Sequence, residues 1–358
     1  MDLREKIKAI EEEIEKTPYN KATQHHIGKL KAKLAKMREK EFKASSKKGS
    51  GVGFGVRKTG HATAVLIGLP SVGKSTLLNK LTNAESEVAG YDFTTLDVIP
   101  GMLQHESLNV QILDLPGIIT GAAIGKGRGR EVLSMVRNAD LVIIMLDAGR
   151  TSVLHEIKDE LYDIGVRLDS KPPEVSVKKK IRGGVSLTST VKLRRIDVEE
   201  VRAVLNEYGV HNADVVIRED MTIDQFIDAV AGNRVYVPSL VLVNKIDKGG
   251  VKNLDFEHLP ISAEKEVGIE GVKDAIVSKI DVIRVFLKPQ GGEADMNDPL
   301  ILKNGSSIKD LCEKLHKDFL KGFRYALIWG ESAKHPGQHV GLKHVLKDKD
   351  VVTIIKSG

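Results

Sequence analysis

The sequence predicts a doubly wound α/β domain with a mostly parallel sheet. An inserted α+β domain interrupts it, and an N-terminal helical hairpin and a C-terminal β-grasp unit flank it. Three observations carry this reading. The apolar run ATAVLIG at 62–68 feeds directly into GLPSVGKS at 68–75, as a buried parallel strand feeds a phosphate-binding loop. Apolar runs at 110–113, 141–146 and 240–243 then alternate with segments of helical period. Between them lies a stretch of different pattern, 166–236, too structured for a loop.

Taken in order, residues 2–16 and 20–43 read as amphipathic helices on either side of Pro18. Leu3, Ile7, Ile10 and Ile14 share one face of the first, and Ile27, Leu30, Leu34 and Met37 one face of the second. The hairpin takes 1–50, and SSKKGSGVGFG at 45–55 reads as a flexible joint. The nucleotide-type domain takes 60–165 and 237–288, with helices at 76–81 and near 131–137, 153–162 and 271–286. The insertion, 166–236, opens with Lys171-Pro172-Pro173. Val185, Leu187, Val191 and Leu193 alternate as in a strand; a helix near 198–208, a strand at 215–218 and a helix near 223–230 follow, with Asp197 and Thr222 as N-caps. The tail, 289–358, offers strands at 300–302, 325–329, 340–345 and 351–355 around one clear helix, 307–316, which suggests a β-grasp fold.

Composition narrows the class. The 358 residues, 41% hydrophobic, suffice for two or three domains. A single cysteine, Cys312, excludes a disulfide framework and a multi-cysteine metal site, and points to a reducing cytoplasmic compartment. The charged N-terminus does not read as a signal peptide, and no apolar run approaches the roughly 20 residues of a membrane span. Residues 1–50 hold 14 Lys/Arg and 8 Asp/Glu, while the rest of the chain holds 41 of each, so the whole excess of +6 sits in the first 50 residues. Such an arm points to a polyanion, with RNA favoured over DNA or a membrane; a solvated helix face is the bland alternative. A second basic run, 171–195, sets eight Lys/Arg against Glu174 alone. Within it Lys178, Lys179, Lys180, Arg182, Arg194 and Arg195 are the RNA or ribosome candidates.

The loop at 68–75 fits G-x-x-x-x-G-K-[ST]. Gly68 and Gly73 admit close backbone approach, Lys74 reaches the β- and γ-phosphates, and the Ser75 hydroxyl ligates Mg²⁺. Leu69, Pro70, Ser71, Val72 and Thr76 complete the binding stretch. Asp114-Leu115-Pro116-Gly117, followed by Ile118, supplies a carboxylate for Mg²⁺ and an amide for the γ-phosphate. Thr95, 20 residues after Ser75, is the candidate second hydroxyl on the metal, with Thr94 competing. Lys74, Thr95 and Gly117 are the candidate catalytic set. In NKID, Asn244 braces the loop, Lys245 packs over the base, Ile246 spaces the motif, and Asp247 accepts two hydrogen bonds from the N1–H and 2-amino group of guanine. Ser262 and Ala263 offer an N–H to the guanine O6. His25 and His26 lack partners at metal-ligand spacing and read as surface residues, and Trp329 reads as core of the tail.

GLPSVGKST, GYDFTTL, DLPGIITGAAIGKGRGRE and GNRVYVPSLVLVNKID resemble signatures of the developmentally regulated GTP-binding protein family, in the Obg–HflX group of translation-factor-class GTPases, and an archaeal-type member of it. The insertion resembles a domain of a small-subunit ribosomal protein, and the tail resembles the TGS domain. The resemblance implies a cytoplasmic, Mg²⁺-dependent GTPase that cycles between GTP and GDP. The implied partners are the ribosome, through rRNA or tRNA, and a dedicated regulatory protein.

Two departures matter. Ile118 stands where Ras-type enzymes place the Gln that orients water, so slow basal hydrolysis is expected. Relatives that use K⁺ often have Asn in place of Ser71, and a hydroxyl is a poorer ligand, so K⁺ stimulation stays open. The run Lys126, Arg128, Arg130 reads either as a built-in arginine finger or as a basic loop. A GTP-stabilised RNA-binding scaffold with negligible turnover is the alternative function, and ATP hydrolysis a third.

Overall fold

A computed structural model describes residues 3–18, 20, 23–44, 59–82, 99–115, 129–249, 254–316 and 318–356. The expected joint at 45–55, the GYDFTTL segment with Thr94 and Thr95, and Pro116, Gly117, Ile118, Lys126 and Arg128 lie outside these residues, as does the Arg130 side chain. Six strands form a mixed sheet in the order β11 (Leu259–Pro260), β10 (Ser239–Asn244), β4 (Leu141–Asp147), β1 (Ala62–Gly68), β3 (Leu108–Asp114), β2 (Ile99–His105). Contacts divide the chain into two units: 1–56, 67–72 and 115–239, and 57–66, 73–114 and 240–358.

In the first unit, α1 (Leu3–Lys16) and α2 (Gln24–Ala44) form the expected hairpin. The chain continues through α4 (Gly129–Asn138), β4 (Leu141–Asp147) and α5 (Val153–Asp163); α3 belongs to the second unit. The insertion leaves by β5 (Val166–Leu168) and returns by β9 (Val235–Val237), which pair in parallel as a stem that the sequence did not suggest. Its sheet, β6-β8-β7, is built from β6 (Val175–Lys179), β7 (Val185–Ser189) and β8 (Ala213–Ile217). Two helices, α6 (Val198–Glu207) and α7 (Ile223–Ala231), pack with it. Both start with the expected caps: Asp197 pairs with Glu200, and Thr222 with Gln225, in reciprocal capping boxes.

The hairpin packs on the insertion. Ala32 is fully buried among Val201, Val204 and Phe226, and a Cβ on Gly28 would run into the Ile223 side chain. Gln24 donates to Glu200 (2.9 Å), Lys31 meets Asp224 (2.6 Å), and Lys36 donates to the Glu207 carbonyl (2.5 Å). Arg38 reaches Glu11 (2.7 Å) and Asp163. Part of the basic excess in the arm is thus spent on internal pairs rather than left for a polyanion. His25 and His26 are exposed, and His26 faces Glu13 at 3.0 Å. A buried clamp ties α7 to both ends of the stem: the Asp228 carboxylate accepts from Arg167 Nε (2.5 Å) and a terminal Arg167 nitrogen (2.8 Å), and from Arg234 Nε (2.7 Å).

Strand register corrects the basic run. Lys179 and Val185 both lie opposite Ala213, whereas Ser189 lies opposite Ile217. Residues 178–182 therefore sit at one end of the sheet and Arg194 and Arg195 beyond the other, about 13 Å away along β8. The alternation seen through Val191 and Leu193 does not extend the strand, which stops at Ser189. The backbone amides of Arg194 and Arg195 are tied instead to Asp220 (2.9 and 3.2 Å).

In the second unit, β1 (Ala62–Gly68) pairs in parallel with β3 (Leu108–Asp114), and β2 (Ile99–His105) adds an antiparallel edge that the sequence reading missed. The helix α3 (Lys74–Leu81) follows the loop; β10 (Ser239–Asn244) pairs in parallel with β11 (Leu259–Pro260). The helix expected over 271–286 is α8 (Ile269–Lys279); the apolar residues after it form a strand, β12 (Val282–Leu287). That strand joins the tail sheet β13-β12-β16-β14-β15, made with β13 (Leu300–Lys303), β14 (Phe323–Trp329), β15 (Gln338–Val340) and β16 (Asp350–Lys356). The strand expected at 340–345 ends at Val340. The helix α9 (Ile308–Leu315) buries Ile308, Leu311 and Cys312 against Val285, Ile328 and Val352, which is the β-grasp arrangement; a short helix, α10 (Asp318–Lys321), follows it. Trp329 is not in that core: it is half-buried, with the Lys288 ammonium 4.7 Å from its ring centre. No helix among the described residues is long and apolar enough to cross a membrane.

Candidate nucleotide site

The phosphate loop starts where β1 ends. A Cβ on Gly68 would strike the Met145 carbonyl oxygen, so the backbone contact itself demands glycine there. Ser71 (φ +63°) and Gly73 (φ +101°) are left-handed, which turns the chain sharply enough for α3 to begin at Lys74. Turns of this kind, running into a helix N-terminus, aim successive amides at an anion.

Lys74 is buried at 7% exposure. Burial pushes its ammonium below the usual lysine value, and Asp114 counters by favouring the charged form. Parallel pairing sets Asp114 opposite Leu66, two residues before the loop. The Ser75 hydroxyl donates to Asp114 Oδ2 at 2.9 Å. The other carboxylate oxygen, Oδ1, is buried and has no hydrogen-bond partner among the described residues. A hard divalent cation satisfies such an oxygen, and a hydroxyl beside a carboxylate suits Mg²⁺, which is held by few protein oxygens with phosphate and water filling the rest. Ser75 and Asp114 thus fit the metal expected from the sequence. Leu115, the next residue in the chain, is buried.

The second motif is built by the pairing of β10 with β11. Asn244, 3% exposed, accepts from the Ala263 amide at 2.9 Å. Lys245 takes a left-handed φ of +65° and starts the short 3₁₀ turn Ile246–Lys248. Asp247 Oδ1 accepts from the Ser262 hydroxyl at 2.6 Å, and that bond, ahead of every other cause, holds the exposed carboxyl below its ordinary value. The bond favours the charged form and orients the carboxylate, which is what acceptance from two adjacent N–H groups would require. Lys80 on α3 pairs with Glu266 at 2.5 Å, next to this loop.

A family model described as a 50S ribosome-binding GTPase matches residues 63–180, one for the C-terminal region of that domain matches 182–282, and the TGS domain matches 283–356. An uncharacterized GTP-binding protein of Methanocaldococcus jannaschii is 53% identical, covering 99% of this chain and 93% of its own. Developmentally-regulated G-protein 3 of Arabidopsis thaliana is 46% identical over 98% of both chains. The chain belongs to the developmentally regulated GTP-binding protein family. A further relative, Ribosome-interacting GTPase 1 of Saccharomyces cerevisiae, is 43% identical over 98% of both chains. As a member, the chain is a P-loop GTPase with a TGS tail. Of its sequence-predicted site residues, Lys74, Ser75 and Asp114 form one cluster, and Asn244, Asp247, Ser262 and Ala263 another. The Ser262–Asp247 bond was not foreseen; the 15-residue separation gives it no local signal.

Proposed function

We propose that this chain is an Mg²⁺-dependent GTP switch that works at the ribosome in the cytoplasm, with slow basal hydrolysis. The observation that carries the reading is the Ser75–Asp114 pair, with Asp114 Oδ1 buried and unpartnered among the described residues, beside a buried Lys74. Lys74 neutralises β- and γ-phosphate charge, Ser75 and Asp114 hold the metal, and Asp247 selects guanine over adenine. Bound Mg²⁺ supplies charge neutralisation of the β- and γ-oxygens. Thr95 and Gly117 are assigned the γ-phosphate-dependent contacts whose loss on hydrolysis defines a switch. With Ile118 after the DLPG motif, no side chain there orients water, so acceleration is assigned to a partner in trans, to the backbone or to K⁺.

Ribosome action is supported by the name of the yeast relative and by the insertion's Lys178, Lys179, Arg182, Arg194 and Arg195, which form no ion pair among the described residues and whose proposed target is rRNA or tRNA. A regulatory protein of the kind this family binds is the expected second partner. The test is multiple-turnover phosphate release with and without ribosomes, in K⁺ and in Na⁺ buffer. Turnover that rises with ribosomes supports the switch. No turnover under any of these conditions, with GTP binding intact, replaces it with a GTP-stabilised scaffold, and equal rates in K⁺ and Na⁺ remove the cation.

A further inference from the structure

The link between β6 and β7 crosses the start of β8 and is held at both of its ends by one residue. The Lys180 amide donates to the Asn212 carbonyl (2.9 Å), and the Gly184 amide donates to Asn212 Oδ1 (2.8 Å). The Ala213 amide closes the base by donating to the Gly184 carbonyl (3.1 Å). Three residues, Ile181, Arg182 and Gly183, stand clear of this base. Gly183 (φ +104°) and Gly184 (φ +70°) have nothing within 4 Å of where a Cβ would lie, so the tip is open on that side.

Ile181 is 99% exposed, far beyond any other large apolar side chain among the described residues. Lone surface apolar residues are ordinary, but an isoleucine wholly in water on a hydrogen-bonded tip is not. Its surroundings are cationic. Lys180 is neutralised by Asp214 (2.6 Å), whereas Lys178, Lys179 and Arg182 form no ion pair among the described residues. A tip of this composition, anchored at its base, suits a partner that offers negative charge around an apolar face. Phosphates supply the first. Within RNA, an unstacked base supplies the second, since in a continuous A-form duplex the base faces are covered by their neighbours.

We propose that the 180–184 finger is an RNA-binding wedge, in which Ile181 packs on the face of an unstacked base while Lys178, Lys179 and Arg182 hold the flanking phosphates. The proposal rests on the RNA reading above and goes further by naming the RNA feature and the residue that reads it. Arg194 and Arg195, at the far end of the sheet, take no part in this contact.

The experiment uses the full chain and two RNA hairpins, one with a single bulged 2-aminopurine and one fully paired, with affinity and 2-aminopurine fluorescence read together. Wild type should prefer the bulged hairpin and change its fluorescence. Ile181→Ser should lose the fluorescence change and about tenfold in affinity for the bulged hairpin alone, and Ile181→Leu should keep both. Lys179→Glu should weaken binding to both hairpins and flatten the salt dependence. Absence of bulge preference in wild type overturns the wedge, and so does an Ile181→Ser protein that keeps the preference while Lys179→Glu weakens binding; in both cases the RNA reading stands. No loss from Lys179→Glu with no binding to either hairpin overturns the RNA reading as well. An Ile181→Ser protein that binds both hairpins normally yet leaves the ribosome assigns Ile181 to a protein pocket and overturns the wedge.

Discussion

Replacing Asp228 by Asn keeps the shape of the side chain and removes one charge, so it isolates what the buried clamp contributes. Arg167 and Arg234 are 8% and 12% exposed, and Asp228 is 6% exposed. Three charge-assisted hydrogen bonds converge on that single carboxylate, at 2.5, 2.8 and 2.7 Å. Arg167 keeps two other acceptors, the carbonyls of Tyr162 (2.7 Å) and Val166 (3.1 Å), and lies over the Tyr162 ring at 3.5 Å, so its charge has nowhere to go. Two buried guanidinium groups without a counter-ion make this the costly case: about 3–5 kcal/mol, against about 0–1 kcal/mol for a solvent-exposed pair. The loss should register as a lower urea midpoint followed by far-UV circular dichroism, with early protease cutting at the stem. Fluorescent-GDP affinity should change little, because none of the residues proposed to hold the nucleotide belongs to the clamp. The triple variant Arg167→Met/Asp228→Leu/Arg234→Met should be less destabilised than Asp228→Asn, since it leaves no buried charge of the clamp unpaired. An Asp228→Asn protein within about 1 kcal/mol of wild type would refute the reasoning and mean that water reaches the clamp.

Other perturbations test the site and its supports. Asp114→Ala should keep GTP binding but lose multiple-turnover phosphate release by about 100-fold or more, measured with a phosphate sensor. Asp247→Ala should abolish base discrimination, so that ADP and GDP displace fluorescent GDP equally well; retained guanine preference would move the reading of the base to another residue. Glu200 is raised above the ordinary carboxylate value, chiefly by burial, against the pull of the Asp197 amide and Gln24. A raised folded value means that the native state takes up the proton more readily than the unfolded chain, so the charged form costs stability at neutral pH and that cost fades as pH falls through the raised value. Glu200→Gln should therefore be more stable than wild type at pH 7, with a gain in urea midpoint that shrinks as pH falls to the ordinary carboxylate range. A less stable variant at pH 7 would mean that the bonds accepted by Oε2 outweigh the burial of the charge.

The nucleotide site was legible because its parts are contiguous: a strand, a turn and a helix start are written within residues 62–81, and NKID follows directly from β10. Elements defined by distant partners were not. Val272, Ile276, Ile280 and Ile283 continue a helical spacing, so 271–286 read as one helix; in the structure the backbone turns extended from Ile280, and β12 gains its ladder partners from β13 and β16. Register divided the basic run because a strand switch returns the chain to the same end of β8 from which it left, which no composition count reveals. The docking of the hairpin was hidden for the same reason. Lys31 and Lys36 look solvated until Asp224 and Glu207 arrive from 193 and 171 residues away.

That last separation sets an order of events during synthesis. The hairpin leaves the ribosome first, but the helices that cover its apolar face end only at Ala231. At about 5–20 residues per second, the face that holds Gly28, Ala32 and Ala35 waits on the order of ten seconds or more in a nascent chain before the insertion can cover it. Every newborn copy passes through an interval in which its first helices are sticky and uncovered, and any chain that stalls before the second insertion helix emerges keeps them so.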